Sequence, residues 1–244
     1  MTVKMDDGLA FGLGVFETIG VEGGRPLFLK EHLKRMHSGA KTLGFWTEEL
    51  EKKTAPARIE EWLEKQNADR GALKIIATRE NFLLSWRDNP YKREDYERGF
   101  VLKFSQVRRN ETSPLTYLKT LNYADNIMEK RRALKEGADE PVFLNFRGEI
   151  TEGAVSNIFF VRDGQIYTPP CSCGLLPGII RDWVIKNFPV REQMIRPEET
   201  ADFDEAFVTN SLMGIMPVGR LGETEYRKRI FVQKVQKKYR NLIL

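Results

Sequence analysis

Apolar and polar positions recur along the start of the chain with two different periods. The run VFETIGV at 15–21 is rich in β-branched and aromatic residues and predicts a strand, which turns at Gly23-Gly24. The segment after it predicts an amphipathic helix that ends at Gly44. The apolar face of this helix consists of residues three or four positions apart: Leu33, Met36, Ala40 and Leu43.

A second helix is predicted from Glu48 to Gln66. Two short apolar runs, Leu73–Thr78 and Phe100–Phe104, predict buried strands. The stretch Glu80–Arg98 between them is polar and contains proline, so it is predicted to be a connection.

The character of the sequence changes after residue 106. The segment QVRRNETSP at 106–114 is polar and ends in proline, which favours a linker. Beyond it, a helix at Tyr123–Lys135 precedes several strands, whose hairpin turns are predicted at Arg147-Gly148 and Asp163-Gly164.

These patterns predict an α/β (α+β) protein with two domains. A chain of 244 residues exceeds the commonest domain size, so one large domain or two smaller domains that share an interface are both compatible with its length. We expect a small domain at 1–106, a linker at 107–113 and a larger, sheet-rich domain at 114–244.

Composition places the chain among ordinary globular proteins, with 41% hydrophobic and 30% charged residues. No stretch approaches the roughly 20 apolar residues of a membrane-spanning helix, and the first residues lack the apolar core of a signal peptide. We therefore expect a cytoplasmic protein without a membrane partner. Cys171 and Cys173 are separated by one residue, which disfavours a mutual disulfide and provides no second pair for zinc, so we expect no metal.

The formal net charge of +4 arises largely from the basic C-terminal segment. Such a segment raises the alternative of a noncatalytic nucleic-acid-binding protein. Its apolar residues nevertheless recur at helical spacing: Phe231, Val235, Tyr239 and Leu242. This spacing favours an amphipathic closing helix with a solvated basic face, and we expect no nucleic-acid partner.

Several polar residues in the second half suggest chemistry. Glu152 precedes the apolar strand that Ser156 and Asn157 interrupt, and strand ends commonly line sites. In GLLPGIIRDWVI, proline and glycine precede a helical run, which exposes the backbone N–H groups of Ile179 and Ile180 to an anion.

Hydroxyl groups and one lysine extend this set. Thr209 and Ser211, in the loop TNSLMGIMPV, are candidates to complete the anion cradle. Lys119 lies between aromatic and apolar neighbours in YLKTLNYADN, where desolvation can lower an amine's pKa as imine formation requires. Taken alone, the sequence does not single out this lysine among the many others.

Six segments, taken together and in order, resemble the fold type IV enzymes that use pyridoxal 5'-phosphate (PLP). This family includes branched-chain aminotransferases, D-amino acid aminotransferases and 4-amino-4-deoxychorismate lyases. The segments are FGLGVFETIGV, LFLKEHLKRM, LKTLNYADNIMEKRRA, ITEGAVSNIFFV, YTPPCSCGLLPGIIRDWVI and EAFVTNSLMGIMPV.

The resemblance implies roles for individual residues. Lys119 matches the lysine that holds PLP as a Schiff base and then moves protons, and Glu152 matches the carboxylate that faces the pyridine nitrogen. Arg35 matches the arginine that pairs with the cofactor phosphate.

Further residues match the rest of the cofactor site. The backbone of Ile179 and Ile180, together with Ser211, resembles the remaining phosphate cup. Tyr123 resembles the tyrosine that contacts the phenolic oxygen of the cofactor, although the aminotransferases place it one residue further from the lysine.

Within the family, TNSLMGIMPV resembles the lyases more than the aminotransferases, and we include its Asn210 among the substrate-binding candidates. Thr18 points the same way, because branched-chain aminotransferases tend to have glycine there and a hydroxyl can assist proton transfer. The resemblance implies conversion of 4-amino-4-deoxychorismate to 4-aminobenzoate and pyruvate, a step of folate biosynthesis. A D-amino acid or branched-chain aminotransferase is the alternative.

Two departures from the family pattern affect the expected site. Few residues precede Asp7-Gly8, so we expect the first sheet to lack an edge strand. TRENFLLSWRDNPY replaces the glycine-rich loop of several relatives, and Arg79 and Arg87 are our candidates for binding substrate carboxylates instead. The resemblance also implies a homodimer that binds a small molecule, with PLP between the two domains.

Overall fold

The structure is a computed structural model that describes residues 2–243, which form two compact units. The first unit contains the chain up to Pro90 together with Leu118–Asn122, and the second contains Tyr91–Tyr117 with Tyr123–Leu242. Helices and sheets occur in both, which confirms the predicted α/β class.

The first unit has a four-stranded sheet and four helices. Its helices are α1 (Asp7–Phe11), α2 (Leu29–Thr42), α3 (Glu48–Lys53) and α4 (Pro56–Lys65). Its strands are β1 (Val15–Glu22), β2 (Arg25–Pro26), β3 (Gly71–Ala77) and β4 (Phe82–Arg87). The strands lie in the order β2-β1-β3-β4, and every neighbouring pair is antiparallel.

The core of this unit joins one face of the sheet to α2. Val15, Ile19 and Val21 of β1 are buried against Leu33 and other residues of α2. Because successive strand residues point to opposite faces, the even-numbered residues of β1 lie on the other face.

Two of the sequence predictions for this unit needed correction. The helix predicted from Glu48 to Gln66 is two helices, because Pro56 begins α4 and lacks the N–H that a continuous helix would use. The stretch Glu80–Arg98, predicted as a connection, contains β4 and the helix α5 (Arg93–Arg98). The strand pattern in β4 is short and has polar residues on one face, which made it resemble a loop.

The second unit is built on a nine-stranded sheet. Its strands are β5 (Phe100–Arg109), β6 (Glu140–Asn145), β7 (Ile150–Gly153), β8 (Asn157–Arg162), β9 (Gln165–Thr168), β10 (Val190–Glu192), β11 (Glu205–Asn210), β12 (Gly214–Leu221) and β13 (Thr224–Glu225). The main order is β10-β9-β8-β11-β12-β5-β6-β7, and β7 also pairs with β8. This extra pairing closes six strands into a ring.

Three helices accompany this sheet in addition to α5. They are α6 (Ala124–Lys135), α7 (Ile179–Asn187) and α8 (Ile230–Ile243). The basic helix α8 buries Val232, Val235 and Tyr239, whereas Leu242, predicted on the same face, is 55% exposed. No helix within residues 2–243 has the length and apolar character needed to cross a bilayer.

The boundary between the units differs from the predicted linker at 107–113. Strand β5 runs through Arg109 and pairs in parallel with β12 and β6, so it belongs to the second unit. Leu118–Asn122 returns to the first unit, where Thr120 forms a bridge with Val15 of β1. The predicted division 1–106, 107–113 and 114–244 differs from these units, because it divides β5 between the first domain and the linker and places the segment around Lys119 in the second domain.

Candidate active site

Lys119 is positioned by the start of β1. The backbone N–H of Phe16 donates to the carbonyl of Lys119 at 3.0 Å, and the N–H of Leu121 donates to Gly14 O at 2.9 Å. These bonds place Lys119 directly opposite Phe16, and such partners project from the same face of a sheet. The Lys119 Nζ accordingly lies 4.4 Å from the centroid of the Phe16 ring.

Thr18 lies on the same face, two residues after Phe16. Its partner across β3 is Lys74, whose Nζ lies 4.9 Å from the centroid of the same Phe16 ring. The structure thus groups the amine of Lys119, the hydroxyl-bearing Thr18 and a second amine on one face of the first unit. The sequence analysis included Lys119 and Thr18 but missed Lys74.

Arg35 lies on α2, against the opposite face of β1. Its Nε and Nη2 donate to the two oxygens of the Glu17 carboxylate at 2.8 and 2.7 Å. The Nδ1 of His32 is 2.7 Å from Glu17 Oε2, and the side chains of Glu17 and His32 are completely buried. The structure therefore holds the Arg35 guanidinium in a fixed orientation, and its contact with a phosphate stays a prediction.

The ionisation of this buried group follows from its neighbours. Burial alone would raise the pKa of the Glu17 carboxyl, but Arg35 and His32 outweigh burial and lower the pKa to about 2. Burial also lowers the pKa of His32, and the attraction of Glu17 only partly offsets it. At neutral pH Glu17 is therefore a carboxylate and His32 a neutral imidazole that donates a hydrogen bond.

Glu152 lies at the end of β7 in the second unit and is buried. Its Oε2 accepts a hydrogen bond from the backbone N–H of Leu176 at 3.0 Å, and its Oε1 lies 3.3 Å from Nη2 of Arg109. The Arg109 guanidinium also lies 3.9 Å from the centroid of the Phe143 ring and donates to Asn126 Oδ1 at 3.1 Å. The carboxylate therefore has a cation and a backbone N–H donor on its two oxygens.

Tyr123 and Asn126 fix the turn that follows Glu152. The Tyr123 hydroxyl donates to the carbonyl of Ala154 at 2.7 Å, and Asn126 Nδ2 donates to the same oxygen at 2.6 Å. Burial, and then the negative charges of Glu152 and Glu140, raise the pKa of the Tyr123 phenol. Tyr123 is therefore a neutral hydrogen-bonding group at physiological pH, and its contact with a cofactor oxygen stays a prediction.

The N-terminus of α7 carries Ile179 and Ile180, as predicted. Gly178 is its N-cap, and no side chain accepts a hydrogen bond there. A Cβ atom at Gly178 would lie 2.0 Å from Asn157 Oδ1, so only glycine fits this approach. Asn157 in turn donates to the carbonyl of Leu176 at 2.9 Å and holds the loop against β8.

The loop after β11 contains the other predicted hydroxyls. Thr209 is buried, lies opposite Asn157 in the β11–β8 pairing, and its Oγ1 has no hydrogen-bond partner within residues 2–243. Asn210 Oδ1 accepts hydrogen bonds from the N–H groups of Leu212 and Met213 at 2.9 and 2.8 Å. Ser211 lies at the turn that these bonds define.

The Asn210 amide is thus engaged on both sides, because its Nδ2 donates to Val155 O and to the Tyr91 hydroxyl, each at 3.2 Å. This side chain shapes its loop, and its role in substrate binding stays a prediction.

The two loop arginines occupy different positions. Arg79 lies in the turn between β3 and β4, is exposed, and points to the carbonyl of Gly44 with an Nη2–O distance of 3.4 Å. Arg87 ends β4 opposite Ala72, on the face that carries Lys74, and its charge contributes to lowering the pKa of Lys74. Of the two, only Arg87 joins the face of Lys119 and Thr18.

Sequence reasoning missed several residues of these groups, among them Arg109, Asn126, Lys74 and Glu17. Arg109 fell within the predicted linker, so its contact with a carboxylate 43 positions later had no local signal. Lys74 offered one usable signal, because it is a charged residue within an otherwise apolar strand, LKIIA.

The residues present fit PLP. A phosphate requires donors, and the start of α7, where no side chain caps the helix and Gly178 approaches Asn157 closely, offers backbone N–H groups. A protonated pyridine nitrogen requires a carboxylate, and the buried Glu152 is a carboxylate that could serve it.

Comparison with known proteins identifies the class. The model of the amino-transferase class IV family matches residues 14–221, and the chain belongs to this family. It is therefore a fold type IV enzyme, either a lyase or an aminotransferase, of a family that depends on PLP.

Individual relatives differ in activity. The chain is 27% identical to the aminodeoxychorismate lyase of Bacillus subtilis, over 91% of this chain and 82% of the relative. It is 28% identical to a putative branched-chain-amino-acid aminotransferase of Methanocaldococcus jannaschii, over 97% and 89% of the two chains. A crystal structure described as a putative 4-amino-4-deoxychorismate lyase from Legionella pneumophila is similar with a TM-score of 0.87 and 26% identity, covering 99% of this chain and 95% of that chain.

Proposed function

We propose that this chain is a PLP-dependent lyase that converts 4-amino-4-deoxychorismate to 4-aminobenzoate and pyruvate. The observation that carries the proposal is the shared sheet face of Lys119 and Thr18, which combines an amine with a hydroxyl. An elimination needs a base at one carbon and a proton for a leaving oxygen nearby, and these two side chains can meet both needs.

Two further observations support the lyase. Relatives named as aminodeoxychorismate lyases occur among both the sequence and the structural matches. The loop TNSLMGIMPV is shaped by the Asn210 side chain, which caps two backbone N–H groups and gives this loop a structure that depends on asparagine.

The cofactor is assigned to residues of this chain as follows. Lys119 would hold PLP covalently, and Glu152 and Tyr123 would serve its ring nitrogen and its phenolic oxygen. Arg35, the start of α7 at Ile179 and Ile180, and Ser211 would bind its phosphate. When bound, the PLP ring accepts electron density from the substrate carbon that loses a proton.

The side chains then act in sequence. The Lys119 amine becomes free when the substrate's amino group takes its place on the cofactor, and it then removes the proton from the ring carbon that bears that amino group. The bond between the ring and the enolpyruvyl oxygen breaks, and this oxygen takes a proton that Lys119 or Thr18 delivers. The enolpyruvate that leaves tautomerises to pyruvate, and the ring becomes the aromatic 4-aminobenzoate, whose stability drives the reaction. Arg109 orients Glu152 through its ion pair.

The direct test incubates the purified protein with PLP and aminodeoxychorismate. We expect 4-aminobenzoate and pyruvate in equal amounts, and we expect Thr18→Val to lower kcat by about 10²-fold with little change in KM. The proposal fails if no 4-aminobenzoate forms while D-alanine or L-leucine with 2-oxoglutarate yields glutamate.

That outcome would favour the second candidate, an aminotransferase acting on D-amino or branched-chain amino acids. Its support is the aminotransferase relatives, which include a D-alanine aminotransferase of Staphylococcus epidermidis that is 29% identical over 88% of this chain. We also propose a homodimer, which light scattering of the purified protein tests by its mass.

A further inference from the structure

The first unit contains an open cleft that none of the residues assigned to the cofactor lines. Its volume is about 700 Å³, within the range of sites that bind small molecules. One wall is the helix α2, and the other is the junction where α3 ends and α4 begins. We call this feature the α2 cleft, and its lining lies within residues 30–41 and 51–56.

The helix α2 places its basic side chains on one wall of the cleft. Lys30, Lys34, His37 and Lys41 all line it. Their spacings of four, three and four positions bring them onto one face of the helix. The three lysines are exposed. Like charges four positions apart, as at Lys30 and Lys34, disfavour a helix, so this face is held together by the packing of α2 and not by its own charges.

Other lysines of this unit have a different setting. Lys53 on α3 and Lys65 on α4 each follow a glutamate by four positions and pair with it, at 2.7 and 2.6 Å. In the part of the chain that the structure describes, neither Lys30 nor Lys34 forms an ion pair or a side-chain hydrogen bond. Among the described residues that line the cleft, Glu51 is the one carboxylate. The cleft therefore has an excess of positive charge that its own lining does not neutralise.

A hydrogen bond joins the two walls of the cleft. The Nε2 atom of His37 lies 2.6 Å from Oγ1 of Thr54, a buried residue whose hydroxyl donates to the carbonyl of Leu50 at 2.9 Å. Because a hydroxyl has a single proton, Thr54 accepts from the Nε2–H of His37 while it donates to Leu50. This bond holds α2 and the α3–α4 junction together, so the basic wall has a fixed position relative to the opposite wall.

The spacing of the cations indicates the shape of the anion that fits them. At the helical rise, Lys30 and Lys34 are about 6 Å apart along α2, and Lys41 is about 10 Å beyond Lys34. Two flexible lysines at the first separation can share one phosphoryl group, whereas Lys41 requires a second anionic group. The Nζ of Lys41 lies 4.5 Å from the centroid of the Trp46 ring, which keeps this charge at its own end of the row.

We propose that the α2 cleft binds an oligophosphate, either free or as the phosphate chain of a nucleotide. A row of phosphoryl groups presents successive negative charges along a line, as α2 presents its lysines. Lysine binds phosphate oxygens as a point charge and does not require the planar, two-oxygen geometry that arginine matches. Because the residues assigned to the cofactor do not line the cleft, this inference stands or falls independently of the proposed lyase.

Calorimetry of the PLP-loaded protein, after removal of excess PLP, tests the cleft with inorganic phosphate, tripolyphosphate and ATP in magnesium-free buffer. We expect one tripolyphosphate per chain, bound at least about 10-fold more tightly than inorganic phosphate. The visible absorbance of the bound cofactor should not change during the titration. Tighter binding of ATP indicates a nucleotide and tighter binding of tripolyphosphate indicates a free oligophosphate, and either order supports the proposal. No heat of binding from tripolyphosphate, or displacement of the cofactor by it, would overturn the proposal.

Two double variants remove the same charge from different places. Lys30→Gln with Lys34→Gln removes two cations of the cleft. Lys52→Gln with Lys65→Gln removes two exposed lysines of the same unit that do not line it. We expect the first pair to weaken tripolyphosphate binding on the order of 10- to 100-fold, and the second pair to weaken it less than about threefold, because salt screens distant exposed charges. Equal weakening by both pairs would show a general attraction of anions to a basic protein and would refute the cleft as the site.

A variant of unchanged charge tests the cleft itself. Ser38→Phe keeps every lysine and places a large ring at an exposed position of the lining. We expect it to weaken tripolyphosphate binding at least about 10-fold by filling the space, with the urea midpoint of wild type because the position is exposed. Unchanged affinity in this variant would place the anion outside the cleft and contradict the proposal.

Discussion

Replacing Arg109 by methionine removes one member of a buried ion pair. The Nη2 of Arg109 lies 3.3 Å from Glu152 Oε1, and the two side chains are only 13% and 9% exposed. At this distance and an effective dielectric constant of about 20, two unit charges attract by about 5 kcal/mol. Breaking such a pair leaves an uncompensated buried carboxylate, which typically costs 3–5 kcal/mol.

The expected loss for Arg109→Met is about 3 kcal/mol of the free energy of unfolding, measured by urea denaturation of the apoprotein. The lower end of the range applies because methionine keeps much of the packing against Phe143. Arg108→Met is the matched control, since Arg108 is the exposed neighbour on the same strand, and it should change stability by less than about 0.5 kcal/mol.

A double-mutant cycle isolates the pair from other effects. Glu152→Gln removes the charge that Arg109 compensates, so the double variant should lose less stability than the sum of the single losses by at least about 1 kcal/mol. The reasoning is refuted if Arg109→Met costs under about 1 kcal/mol and its effect adds to that of Glu152→Gln without coupling.

Three further predictions concern stability and the anion cradle. Folding lowers the pKa of Glu17 from 4.5 to about 2 and lowers the pKa of His32 from 6.5, so on acidification the unfolded chain binds protons before the folded chain does. The free energy of unfolding should therefore fall below about pH 6.5, and it should fall more steeply between pH 4.5 and 2. Equal urea midpoints at pH 7 and pH 3 would contradict this, and Glu17→Gln should flatten the acid part of the curve. Thr209→Val removes a buried hydroxyl that has no hydrogen-bond partner within residues 2–243, so the free energy of unfolding of the apoprotein should rise by about 1 kcal/mol. A decrease of that size in urea denaturation would show that the hydroxyl has a partner. Gly178→Ala places a Cβ 2.0 Å from Asn157 Oδ1 and should weaken PLP binding on fluorescence titration at least about 10-fold; unchanged affinity would exclude this loop from the cofactor site.

The part of the fold that sequence predicts well is local. The helix α2 and the strands β1, β3 and β8 have strong apolar periodicity, and Gly44 or paired turn residues mark their ends. The start of α7 was predicted because proline and glycine precede an apolar helical run.

The predictions that failed depended on partners far away in the chain. Arg109 seemed to belong to a linker because its segment is polar, yet it ends β5, where it pairs with Asn145 of β6, 36 residues later. The segment around Lys119 joins the first unit through its bridge to β1 and through hydrogen bonds to the residues just before β1, which no local pattern shows. Contacts of this kind depend on the assembled sheets.

The candidate site shows the same division. The family resemblance supplied Lys119, Glu152 and Arg35, whose motifs are short and contiguous. Glu17 orients Arg35, and Arg109 orients Glu152. Both orienting residues come from other elements and were recognised only from distances. Their roles concern electrostatics inside the folded chain, which sequence spacing does not encode.

The central claim is that the amine of Lys119 carries the cofactor. The measurement that tests it most directly is borohydride reduction of the PLP-loaded protein, followed by proteolysis and mass mapping of the labelled peptide. We expect a single pyridoxyl adduct on Lys119, together with loss of the visible absorbance of the bound cofactor. An adduct on Lys74 or any other lysine, or no adduct at all, would contradict it.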